Sequence, residues 1–117
     1  SDRVIKIVAD SEAALRTLPP DSYDCIYIDG SHTSRGVLTD LVLSWGLLKM
    51  QGILIIDDYT LAMFADNQRK NPIIGIDAFL AAFKDEYTVV HSGEQVILRK
   101  MVTKDAIWRE KAATSHA

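Results

Sequence analysis

A chain of 117 residues, 48% hydrophobic and 25% charged, has the profile of one globular domain with a modest core, which excludes a disordered or fibrous segment. Its formal net charge of −3, with Lys and Arg mixed among Asp and Glu, offers no basic stripe to track a phosphate backbone, so nucleic acid is not an expected partner. The one cysteine, Cys25, lies among apolar neighbours and reads as a buried free thiol, and no apolar stretch reaches the ~20 residues that cross a bilayer; a soluble, non-secreted, cytoplasmic protein is expected.

In chain order, Arg3 to Ala9 (RVIKIVA) is rich in β-branched residues and reads as a strand. Asp10-Ser11 can cap the short amphipathic helix suggested by EAALRTL, which Pro19-Pro20 stops. Tyr23 to Ile28 (YDCIYI) is a second strand running into the small polar turn Asp29-Gly30-Ser31-His32. From Ser34 to Met50, apolar Leu38, Leu41, Val42, Trp45 and Leu48 recur at three- and four-residue spacing, which predicts a helix ended by Gln51-Gly52. Ile53 to Ile56 is an unbroken apolar run, as in a strand covered on both faces, and delivers Asp57-Asp58-Tyr59 at its C-terminal end.

Thr60 to Pro72 reads as a loop over that edge, a lid in functional terms, before helical periodicity resumes from Ile76 to Phe83. Tyr87 to His91 and Gln95 to Lys100, joined by Ser92-Gly93-Glu94, carry the pattern of an antiparallel hairpin. Residues 1–102 form the expected domain, and 103–117 a helical tail that frays. Alternating strands and helices closed by a hairpin predict an α/β fold with a mainly parallel sheet and a C-terminal antiparallel hairpin.

In open α/β sheets ligands bind beyond the carboxyl ends of the strands, where Asp29, His32, Asp57 and Asp58 all fall. Three carboxylates gathered there repel one another unless a hard cation such as Mg²⁺ compensates them, so the acids read as metal ligands. Taken alone, Asp29 serves equally well as a helix cap or an Asp-Gly turn; the acidic pair ending the neighbouring strand moves the balance to function. Asp24, at the strand's opposite end, reads as structural. His32, three residues past Asp29, suits proton transfer near neutrality, and a surface loop histidine is the plainer alternative. His91 and His116 have no acidic neighbours of that kind.

The segment YDCIYIDGSHTSRGVLTDLVLSWGLLKMQGILIIDDY resembles class I S-adenosylmethionine-dependent methyltransferases related to those that methylate sugar hydroxyls of macrolide antibiotics, and more distantly catechol O-methyltransferase. The likeness spans about Val4 to Lys100 and implies a Rossmann-like methyltransferase fold. By position it implies that Asp29, Asp57 and Asp58 hold Mg²⁺ or a similar divalent cation, that His32 takes the proton of a small-molecule hydroxyl substrate, and that Asp10, Ser11 and Glu12 contact the cofactor's adenine. A complete enzyme of this kind opens with a strand, a glycine-rich turn and a second strand; here the glycines are scattered singly. The chain therefore corresponds to the third strand onward of a truncated fold, the C-terminal half, with activity alone in doubt.

Losing two central strands leaves a sheet edge to satisfy. Either Val4 to Val8 moves in beside the Cys25 strand, or two chains pair as a homodimer, the favoured expectation. The rival readings are a non-catalytic folded fragment and a phospho-acceptor receiver domain; the receiver is disfavoured because its acidic pair precedes its single Asp, the reverse of Asp29 and Asp57-Asp58. No GxxxxGK[ST] supports a nucleotide hydrolase.

Overall fold

The computed structural model describes residues 3–8, 11–29, 33–57 and 72–101. Five strands form one sheet: β1 (Val4–Ile7), β2 (Tyr23–Ile28), β3 (Leu48–Ile56), β4 (Tyr87–Ser92) and β5 (Val96–Lys100). Their order is β1-β2-β3-β5-β4, parallel from β1 to β3 and antiparallel thereafter. The helices are α1 (Glu12–Leu15), α2 (Ser34–Leu47) and α3 (Ile73–Ala82), with a 3₁₀ turn at Lys84–Glu86 before β4. This is the expected α/β architecture, and β1 does lie beside the Cys25 strand, with Val4 in register with Cys25.

Period-two alternation decides the core. Ile26, Ile28, Leu54, Ile56 and Leu98 point to one face and are fully buried against Val37 and Leu41 of α2 and Ile76 and Phe79 of α3. The intervening residues Cys25, Tyr27, Ile53, Ile55 and Ile97 on the other face are only half-buried. Cys25 is thus a half-buried thiol rather than the buried one expected, and desolvation raises its pKa.

Two readings of α2 are corrected. Leu48 to Met50 is strand, not helix: the helix stops at Leu47, Leu48 pairs with Tyr23, and a bulge at Gln51 (φ 64°) joins this piece to Ile53–Ile56. Long-range contacts impose that early stop, because the buried Lys100 ammonium donates to the carbonyls of Trp45 (2.6 Å) and Leu48 (2.8 Å). The buried face is also rotated from the sequence expectation. Val37, Asp40, Leu41, Ser44 and Trp45 face inward, while Val42 is 42% exposed.

The rotation follows from how closely α3 approaches. A Cβ on Gly75 would stand 2.1 Å from the Ser34 carbonyl oxygen and 2.8 Å from Val37 Cγ1, so the two helices meet backbone to backbone near their N-termini. At their other ends the contact is aromatic. Trp45 sits edge-on to Phe79, Phe83 and Tyr87, and its indole N–H donates to Glu86 at 2.9 Å.

Candidate functional site

The C-terminal edge of the parallel strands is built by main-chain pairing carried one residue past each strand. Asp29 N–H donates to the Ile7 carbonyl (3.2 Å) and Asp57 N–H to the Ile28 carbonyl (2.9 Å). These bonds set Asp29 and Asp57 on adjacent strands at one edge, although 28 residues separate them in sequence. Asp58 and His32, the other expected ligand and the expected base, lie outside the described residues, as does Asp10. Among the described residues no group of three His, Cys, Asp or Glu is gathered closely enough to hold a metal.

Around Asp57 the structure adds two residues that the sequence reading missed. The Tyr27 hydroxyl donates to Asp57 Oδ2, and Gln95 Nε2 donates to Asp57 Oδ1 at 3.3 Å. Tyr27 could have been found, since alternation along β2 puts it on the half-buried face two residues before Asp29. Gln95 could not, because its place depends on β5 pairing with β3. Continuing the antiparallel register one step beyond Ile56 and Val96 sets Gln95 opposite Asp57.

The residues after β1 are engaged locally. Ser11 holds the N-cap position of α1 without a side-chain cap, a correction to the expected capping; its hydroxyl donates to the Val8 carbonyl instead. Glu12 pairs with Arg16 across one exposed helical turn at 3.3 Å. Both keep acceptor oxygens, which suit a donor such as an adenine amino group. The Thr60 to Pro72 loop is outside the description up to residue 71, as is the expected tail helix.

Asp24 is structural, as read. It accepts the Arg3 N–H at 2.7 Å and pairs with Lys49 at 3.4 Å, and the hydrogen bond from Arg3 is the leading cause that lowers its pKa. His91 is exposed on the edge strand β4. A surface cleft of about 400 Å³, lined by Leu15, Leu18, Asp21, Leu43 and Leu47, lies toward the N-terminal end of β2, away from Asp29 and Asp57.

A profile of the methyltransferase domain family matches residues 1–59, half of the chain. Among solved structures, a Corynebacterium glutamicum protein superposes with a TM-score of 0.60 at 16% identity, over 82% of this chain and 47% of its own. The O-methyltransferase NovP gives 0.56 at 18% identity, over 75% of this chain and 34% of its own. The T. thermophilus 16S rRNA N2 G1207 methyltransferase RsmC, solved with AdoMet and guanosine, gives 0.50 at 14% identity, over 88% and 36%. At such identities these likenesses establish the Rossmann-like methyltransferase fold, and the chain spans less than half the length of each. No curated protein matches it.

Proposed function

Because the chain belongs to the methyltransferase domain family, we propose that it supplies the acid-bearing edge of an enzyme that transfers the methyl group of S-adenosylmethionine to a hydroxyl of a small molecule or sugar, assisted by Mg²⁺ or a similar divalent cation. The observation that carries this reading is the placement of Asp29 and Asp57 side by side beyond the carboxyl ends of β2 and β3. Their donor chemistry is that of a hard-cation site: carboxylate oxygens, those of Asp57 held by Tyr27 on Oδ2 and Gln95 on Oδ1. Asp58 would complete the set. A cation bound there supplies a positive charge that lowers the pKa of a hydroxyl brought against it.

In the proposed reaction His32 accepts the hydroxyl proton. The freed oxygen lone pair forms the new C–O bond with the sulfonium methyl, and the C–S bond breaks with its electron pair going to sulfur, leaving S-adenosylhomocysteine. Asp29 and Asp57 would hold the cation at this edge, and correct alignment of oxygen, carbon and sulfur supplies much of the rate. Ser11 and Glu12 contact the adenine, and Asp10 belongs with them.

Calorimetric titration with S-adenosylhomocysteine, with and without Mg²⁺, tests this reading. Micromolar binding, roughly −8 kcal/mol, is the expected result for a chain that holds the cofactor. The second reading is a folded module of methyltransferase ancestry that does not turn over. Absence of binding in both titrations favours it.

A further inference from the structure

The described helices all lie on one face of the sheet: Leu15 of α1, Leu41 of α2 and Phe79 of α3 belong to the same core cluster as Ile26 and Leu54. Among the described residues no helix of that cluster covers the opposite face, where the strand register sets side chains in two cross-strand rows. Val4, Cys25, Ile53 and Arg99 form one row, and Lys6, Tyr27, Ile55 and Ile97 the next. The middle of both rows is apolar and half-buried, while Lys6 on β1 and Arg99 on β5 are exposed at its two flanks. We propose that this face docks one amphipathic α-helix of a protein partner, a helix whose apolar stripe is bordered on both sides by Glu or Asp. The proposal does not depend on the reaction proposed above.

Parallel strands occur almost only with both faces covered, and the unbroken apolar run Ile53–Ile56 is the sequence of such a strand. An apolar patch continuous over β2, β3 and β5, rimmed by polar groups, is the kind of surface that a protein partner removes from water. The two cations decide which partner. Lys6 and Arg99 are three strand spacings apart, about 14 Å. A helix about 10 Å across fits between them, lying over β2 and β3, with a carboxylate reaching each cation. Among the described residues neither cation is in a salt bridge, although the Lys6 ammonium stands 5.5 Å from the centroid of the Tyr27 ring. A second copy of the chain laid face to face would offer the same two cations and no carboxylate from either row. An anionic lipid surface is opposed by the net charge of −3 and by Asp29 and Asp57, which follow these rows at the carboxyl edge.

The test uses two fluorescein-labelled helical peptides of about 18 residues. Both carry the same leucine stripe, flanked by Glu in one and by Lys in the other, and fluorescence anisotropy reads their binding to the purified chain at low salt. Wild type is expected to bind the Glu-flanked peptide about tenfold more tightly than the Lys-flanked one. The double variant Lys6→Glu/Arg99→Glu is expected to reverse that order with little change in melting temperature, because both side chains are exposed. Equal binding of the two peptides, or a preference that the double variant leaves unmoved, overturns the proposal. Binding of neither peptide overturns it too, and two further measurements then identify the occupant. A dimer in sedimentation equilibrium that Ile55→Glu splits into monomers assigns the face to a second copy, and flotation with phosphatidylglycerol vesicles assigns it to lipid.

Discussion

The two ends of the sheet each hold a charged side chain between hydrogen-bonding partners, and they use it in opposite ways. At the end where β3 begins, Lys100 is 1% exposed, and its ammonium is spent on the carbonyls of Trp45 and Leu48, with Asp21 at 3.8 Å and the Trp45 ring at 5.5 Å. Burial pushes its pKa below the ordinary lysine range, against the opposing pull of Asp21 and Glu86. At the far end, Asp57 lies at the carboxyl edge between two neutral donors, beside Asp29. The buried ammonium that closes the end of α2 serves the architecture, whereas under the function proposed above the Asp57 carboxylate at the strand end would serve a ligand.

This contrast can be broken from either side. The largest expected effect is at Gly75, where the helices meet beside the acidic edge. Gly75→Val would drive its side chain into the Ser34 carbonyl, which is backbone and cannot swing aside. A loss of roughly 3 kcal/mol is expected, visible as a lower urea midpoint with unchanged slope. Full stability in that variant would show that the α2–α3 contact is looser than described.

Lys100→Met should follow. It leaves the Trp45 and Leu48 carbonyls without their donor, at a cost of about 1–3 kcal/mol partly offset by removal of a buried charge. Mn²⁺ affinity should stay at the wild-type level, because the change lies at the architectural end. A matching fall in affinity would mean the two ends are coupled.

The smallest effect is in pH dependence. Lys100 titrates near 10.5 when unfolded and lower when folded, so between those values the unfolded chain binds more protons and stability rises with pH. Burial raises the pKa values of Cys25 and Tyr87, which pull the other way above their ordinary values of 9.0 and 10.0. The Lys100 contribution is therefore read as the difference between wild type and Lys100→Met melting curves: below 10.5, wild type should gain on the variant as pH increases. Parallel curves would remove the lysine from the account.

Much of the architecture was legible. Tyr23–Ile28 matched its strand residue for residue, because alternation and β-branching are local signals. The hairpin was legible from its Ser-Gly-Glu turn. The end of α2 was not: Lys49 and Met50 are acceptable helix formers, and what stops the helix is a lysine 52 residues beyond Leu48. Nor was the inward face of α2, which depends on where Gly75 lets α3 approach.

By itself the sequence determined the kind of element at each place and the delivery of acids to strand ends, since both depend on residue order within a few positions. Only the tertiary structure decided that β1 would pair directly with β2 and that β5 would enter between β3 and β4. That second choice brings Gln95 across from Asp57 and, at the other end of the same strand, Lys100 under the helix. Such pairings are set by which burial and hydrogen-bond partners remain available across the whole chain, and no local pattern of residues encodes them.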